Sequence, residues 1–182
     1  MTLNLELLRI HKLESLDNLS FKNLLQYYQF ECSSLTCTQT DELGLYNIKN
    51  ISSLSCNQSA ADIYILYYER LPIGFIIVNP ASISLDNNLA NNMADIFIMP
   101  FYRRKRVGEW FIFKIFDQYS GTWEVRMLSN FFSFINFIKK IISKYAKNNY
   151  EFFVRKDQKL NKDYIVYKFY SNKLRIVNET CP

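Results

Sequence analysis

The chain has 182 residues, 49% hydrophobic and 21% charged, and 22 Lys plus Arg against 17 Asp plus Glu give a net charge of +5. These fractions predict one folded domain over residues 1–182 and exclude wholesale disorder, and four Gly and four Pro exclude a collagen-like or linker-dominated chain. No run approaches the ~18 apolar residues of a membrane helix, and +5 is low for a dedicated nucleic-acid binder.

Met1 to Ile10 carries Glu6 and lacks a basic start before an apolar run, so no signal peptide is expected there. The thiols of Cys32, Cys37, Cys56 and Cys181 are then expected to be reduced, in a cytoplasmic protein. From Leu19 to Phe30, the spacing of Leu19, Phe21, Leu24, Leu25 and Tyr28 predicts an amphipathic helix. Thr36 to Ser59 is rich in Ser, Thr and Asn and reads as a long loop with at most a short element near Tyr46. Ile63 to Glu69 reads as a strand, Leu71 and Pro72 as a turn, and Ile73 to Val78 as a buried strand with Gly74 near its start. Asn79 to Asn92 reads as a second polar loop.

Met93 to Met99 then reads as a strand stopped by Pro100. Arg103 to Gly108 is a basic turn, and Val107 to Tyr119 is a helix apolar almost all round, hence buried. Gly121 marks a turn before a strand over Thr122 to Leu128. Phe134, Phe137, Ile138, Ile141, Ile142 and Tyr145 are spaced as one face of a helix, with Asn136, Lys139, Lys140, Ser143 and Lys144 on the other. Tyr150 to Val154 and Asp163 to Tyr170 close the series as strands, the latter with Ile165, Tyr167 and Phe169 on one face. The order is that of a mixed α/β or α+β domain.

Some chemistries drop out early. His11 is the lone histidine, near the terminus among polar neighbours, and no C-x-x-C pair occurs. Neither a zinc site nor a histidine-activated nucleophile is expected, and no metal is assigned.

The segment Asp95 to Gly108 is more informative. Arg103, Arg104, Lys105 and Arg106 crowd the start of a helix, where the macrodipole makes cations mildly unfavourable. An anion held there by backbone N–H groups and the basic side chains would remove the conflict. Gly108 falls where the backbone can approach such an anion closely. A solvated turn and a nucleic-acid contact remain as alternatives, although the run is compact rather than a stripe.

These residues have a resemblance. Tyr102-Arg-Arg-Lys-Arg-Val-Gly108 resembles the acetyl-CoA pyrophosphate loop of the GNAT family of N-acetyltransferases, Arg/Gln-x-x-Gly-x-Gly/Ala, with Arg103 at its first position and Gly108 at its last. Pro72-Ile-Gly-Phe-Ile-Ile-Val-Asn79 is similar to the family's preceding strand, and Met93-Ala-Asp-Ile-Phe-Ile98 to its central acyl-CoA strand. Trp123-Glu-Val-Arg126, the helix from Phe131 to Ile142, and Tyr145 to Tyr150 resemble the C-terminal half of a bacterial subgroup of predicted acetyltransferases. Asn23-Leu-Leu-Gln-Tyr-Tyr28 fits that subgroup's first helix, so the resemblance runs over about residues 19–170.

The resemblance implies a twisted mixed β-sheet flanked by helices, with acetyl-CoA as cosubstrate between splayed central strands. It implies that backbone groups of Phe97 and Ile98 pair with the pantetheine and polarise the thioester. Backbone N–H groups from Arg104 through Lys105, Arg106 and Val107 to Gly108, with the side chains of Arg103 and Arg104, would hold the pyrophosphate. The chain departs from the pattern at Arg106, where the family has glycine, at Phe131, where an Asn often faces the cofactor, and at Ile138, where an aromatic residue is usual. It also has no Tyr at the position of the usual general acid.

Acyl transfer to an amine needs a base, since an alkylammonium is mostly protonated at neutral pH. Asp95 is the first candidate and Glu124 the second, each with a solvated strand-end charge as its plain alternative. Tyr145 or Tyr119 would supply the acid, and the aromatic helix from Phe131 reads as core rather than as a substrate box. Two functions are expected to compete: an N-acetyltransferase acting on a primary amine of a small molecule or protein, and a degenerate domain that binds acyl-CoA or a protein partner without turnover. A nucleic-acid-binding domain is a weaker third. Acyl-CoA is the expected partner, no membrane is expected, and a homodimer is left open.

Overall fold

The structure, a computed structural model, describes residues 3–16, 18–48, 61–80, 90–157 and 162–172. The parts of the two polar loops at 49–60 and 81–89, and Cys56 and Cys181, lie outside the described residues. The elements are β1 (Leu8–Lys12), α1 (Leu19–Thr36), β2 (Asp62–Tyr68), β3 (Leu71–Pro80), β4 (Asn91–Ile98), α2 (Val107–Phe116), β5 (Gly121–Leu128), α3 (Phe132–Tyr145), β6 (Tyr150–Asp157) and β7 (Lys162–Ser171). The seven strands form one mixed sheet in the order β1-β2-β3-β4-β5-β7-β6. By contacts the chain groups into two units, one from 1–79 and 95–108, the other from 80–94 and 109–182.

In the first unit β2 pairs antiparallel with both β1 and β3. Ile63 to Leu66 and Ile73 to Val78 are buried in nearly unbroken runs, the pattern of strands covered on both faces. The hairpin turn is Glu69–Arg70, with Tyr68 opposite Leu71 and Glu69 at φ 53°, not Leu71–Pro72 as the sequence suggests. Pro72 lies inside β3, opposite Tyr67, next to the register shift between Leu66 and Tyr67, where an irregular ladder tolerates a missing N–H. β1 escaped the sequence reading because only Leu8 of its five residues is buried. His11, on β1, is exposed and lies against the Tyr67 ring at 5.0 Å.

α1 starts where Asn18 accepts a hydrogen bond from the Phe21 N–H at 3.0 Å. It ends at Cys37, whose φ of 53° makes a left-handed cap. Phe21, Leu24 and Leu25 are buried, and Phe21 meets Phe75 of β3 edge-on at 5.3 Å. Leu19 is 71% exposed, because two positions before Phe21 is about 200° around the helix.

In the second unit β5 runs antiparallel to β7 along its whole length, from Gly121 opposite Ser171 to Leu128 opposite Tyr164. β6 flanks β7 in the same way. The parallel pairing of β4 with β5 is at Asn91 opposite Trp123. α2 stops at Phe116, three residues short of the predicted Tyr119, with Phe111, Ile112, Ile115 and Phe116 buried. α3 buries Ile135, Ile138, Ile141 and Ile142, whereas Phe137, assigned to the buried face from sequence, is 39% exposed. One residue is about 100° of helix, so Phe137 lies off the stripe centred on Ile138 and Ile142, while Ile135 falls within it. Among the described residues no helix is long and apolar enough to cross a membrane.

Candidate functional site

The basic turn and the end of β4 belong to the same unit. Gly74 of β3 lets the two backbones approach. A Cβ there would collide with the Phe97 carbonyl oxygen and lie 2.8 Å from the Ile98 side chain. The Met99 N–H also turns toward β3, donating to the Ile73 carbonyl at 2.8 Å. Peptide groups alternate edges along a strand, so Phe97 faces β3 and Ile98 presents its backbone to the opposite edge. Of the two residues the sequence assigned to the pantetheine, Ile98 therefore has the outward backbone and Phe97 does not.

Pro100 to Tyr102 form a single 3-10 turn that ends β4 and reverses the chain. Arg103 then folds back over it. Its Nε donates to the Ile98 carbonyl at 2.7 Å, and its Nη2 donates to both carboxylate oxygens of Glu31 on α1 at 2.7 and 2.8 Å. The guanidinium also stacks over the Phe97 ring at 5.6 Å. This planar fork ties α1, the end of β4 and the basic turn together. The Arg103 guanidinium is thus engaged by Glu31 and the Ile98 carbonyl within the chain.

The next residues differ in kind. Arg104 and Arg106 have φ of 61° and 64°, the left-handed region, each at a cost of about 1 kcal/mol for a residue with a Cβ. Lys105 between them does not. Left-handed residues alternating with ordinary ones turn successive N–H groups toward one side, a concave nest suited to an anion. α2 begins at Val107, so the N–H groups of its first turn, Gly108 included, add to that concavity. Arg104 and Arg106 are exposed, while Lys105 is folded back, donating to the Phe101 carbonyl and lying 3.9 Å from that ring. Two exposed cations thus flank a backbone nest.

Asp95, three residues before Ile98 on β4, accepts a hydrogen bond from the Tyr28 hydroxyl of α1. Tyr28 is fixed by edge-on contacts with Phe75 and Phe97 at 5.6 and 6.3 Å. Burial, and then the charges of Asp95 and Cys32, hold the phenol well above its ordinary pKa, so it stays protonated. Burial likewise pushes the Cys32 thiol up, against the lowering effect of its hydrogen bond to Tyr28; Asp95 and Glu31 add to the rise. The sequence offered one signal for this cluster: Tyr28, Glu31 and Cys32 are spaced as neighbours on one face of α1.

The other two catalytic candidates lie in the second unit. Glu124 is fully buried on β5, opposite Lys168 of β7. The Tyr145 hydroxyl donates to Asp117 at 2.9 Å and shares a hydrogen bond of 2.9 Å with the Ser171 hydroxyl. Burial chiefly raises its pKa to about 12; Ser171 opposes the rise and Asp117 adds to it. Its ring packs on Phe113, Phe116 and Phe169. Phe131 precedes α3 without capping it, where an Asn would cap, and Ile138 is fully buried. Among the described residues no three His, Cys, Asp or Glu side chains group as a metal site.

No family model and no curated protein matches the sequence. Solved structures do. A Bacillus subtilis acetyltransferase in complex with CoA matches with a TM-score of 0.62 at 10% identity, over 90% of this chain and 99% of that one. A GNAT family acetyltransferase from Elizabethkingia anophelis with acetyl-CoA bound matches with a TM-score of 0.59 at 11% identity, over 91% and 99%. The ribosomal-protein-S18-alanine N-acetyltransferase from Escherichia coli matches with a TM-score of 0.55 at 11% identity, over 96% and 99%. At these identities the likeness is one of fold: the chain has the fold of the GNAT acetyltransferases.

Proposed function

We propose that the chain is an acetyl-CoA-dependent N-acetyltransferase that transfers the acyl group to a primary amine of a small molecule or protein. The observation that carries this reading is the nest of Arg104 and Arg106 running into α2, a short step in sequence beyond the outward backbone of Ile98. Such a nest suits a pyrophosphate, held by the N–H groups from Arg104 to Gly108 and by the Arg104 and Arg106 side chains. The pantetheine would then run along Ile98. Solved proteins of this fold carry CoA or acetyl-CoA.

In the reaction the amine attacks the thioester carbonyl, a C–N bond forms, and the tetrahedral oxyanion is held by a backbone N–H of β4, for which Ile98 is the candidate. Asp95 takes the proton from the amine, directly or through one water. Collapse breaks the C–S bond and releases the CoA thiolate. Glu124 is the weaker candidate because its side chain is fully buried, out of reach of an incoming amine. Tyr145 is a poor acid, its proton held at a pKa of about 12, well above that of a thiol.

A second reading, binding of acyl-CoA without turnover, is favoured by one observation: Asp95 and Tyr145 already hold hydrogen bonds to Tyr28, Asp117 and Ser171. Release of free thiol from acetyl-CoA across a panel of primary amines separates the two. Turnover that Asp95→Asn lowers at least tenfold, with acetyl-CoA binding kept, supports the enzyme. Binding with no thiol release for any amine supports the second reading.

A further inference from the structure

We propose that β6 is a self-pairing edge through which two copies of this chain associate in antiparallel register about Phe153. This inference is independent of the acyl-transfer reading. β6 is the last strand of the sheet and pairs on one side with β7 in eight consecutive register pairs, without a shift. Among the described residues nothing pairs with its outer edge. Natural edge strands are blunted by Pro, by a bulge, by short length or by charged side chains; β6 has no Pro, no bulge and eight residues, and its exposed charges, Glu151, Arg155 and Lys156, are what a partner strand has to match.

Its side chains are also exposed where a neighbour is covered. Phe152 and Val154 lie on the face that β7 continues with Tyr167 and Phe169, both buried, yet they are 54% and 57% exposed. Phe152 touches the Tyr167 ring at 5.3 Å, so the apolar face runs on to the end of the sheet and stops uncovered. An added strand would continue it.

The identity of that strand follows from the order of residues. A two-fold at Phe153 sets Phe152 opposite Val154 of the other copy, twice, and Glu151 opposite Arg155, twice. The first pairs join apolar to apolar on one face, the second join unlike charges on the other, and both kinds stabilise cross-strand neighbours. Shifting the two-fold to Phe152 sets Glu151 opposite Phe153, and shifting it to Val154 sets Phe153 opposite Arg155. The register at Phe153 thus pairs the exposed Phe152 with Val154 and the exposed Glu151 with Arg155, and sets Lys156 opposite the half-buried Tyr150. Glu151 and Arg155 are exposed, and neither is in an ion pair within its own chain among the described residues. One strand edge is smaller than the ~800 Å² per partner of a standard interface, so the dimer should be concentration-dependent rather than obligate.

Sedimentation velocity over a micromolar dilution series tests this. Wild type should shift from monomer to dimer with concentration. Glu151→Arg and Arg155→Glu, each with the wild-type melting transition, should each weaken the dimer at least tenfold by setting like charges opposite. An equimolar mixture of the two variants should restore it, because every reversed charge then meets an unlike one. A wild type that stays monomeric throughout overturns the proposal, as does a mixture no better than either variant. Amides of β6 protected from hydrogen exchange at every dilution also overturn it, since the chain's own residues would then cover the edge.

Discussion

Arg103 and Glu31 set a test that separates geometry from charge. If Arg103 served as a free cation, removing the acid beside it would strengthen binding of an anionic ligand. As a strut held by Glu31 and the Ile98 carbonyl, it needs that acid to hold the turn in place. Glu31→Gln is therefore expected to weaken acetyl-CoA binding several-fold, in the same direction as Arg103→Ala, by calorimetric titration. The pair is more than a third exposed on each side, so the stability change is only about 1 kcal/mol or less. Tyr145 gives the pH counterpart. Its folded pKa is raised from 10.0 to about 12, so its contribution is complete below pH 10 and is lost as pH rises through 12. Tyr145→Phe should fall less steeply in denaturant stability across that window than wild type, while Tyr28, present in both, adds a loss in the same direction to each.

At the scale of elements, the close approach of β3 and β4 is the feature most easily broken. Gly74→Ala places a Cβ against the Phe97 carbonyl oxygen, which is backbone and cannot rotate away. A stability loss of about 2 kcal/mol or more is expected in urea denaturation, with acetyl-CoA binding weakened, because the same contact sets where Ile98 faces. The glycine was visible in the sequence, but its reason was not, since the approach depends on a neighbouring strand. The same holds for α3. Helical spacing gave its apolar side, but Phe137 and Ile135 changed places because the stripe is set by what the helix packs on. Propensity does not measure that. The hairpin turn moved two residues for a related reason: Pro72 signals a turn locally, and only the pairing of β2 with β3 shows that it sits within a strand.

Across the whole molecule, the order of elements from α1 to β7 was legible from periodicity and the mixed sheet from the GNAT resemblance, which agrees with the fold of the solved structures. The left-handed backbone at Arg106 was also legible, because the family pattern has glycine there; the second left-handed residue, Arg104, was not. What the sequence left hidden are the long-range contacts: Tyr28 on Asp95, Glu31 on Arg103, and Asp117 with Ser171 on Tyr145. Each joins residues far apart in the chain, and no local spacing encodes them. On the proposed reading, the nest before α2 holds the pyrophosphate of acetyl-CoA. Calorimetric titration with acetyl-CoA in low salt, wild type beside Arg106→Ala, decides whether it does. Wild type should show saturable micromolar binding that the variant weakens about tenfold, the loss of roughly 1.4 kcal/mol from one charge-assisted hydrogen bond. No binding to wild type, or binding that the variant leaves unchanged, would contradict that reading.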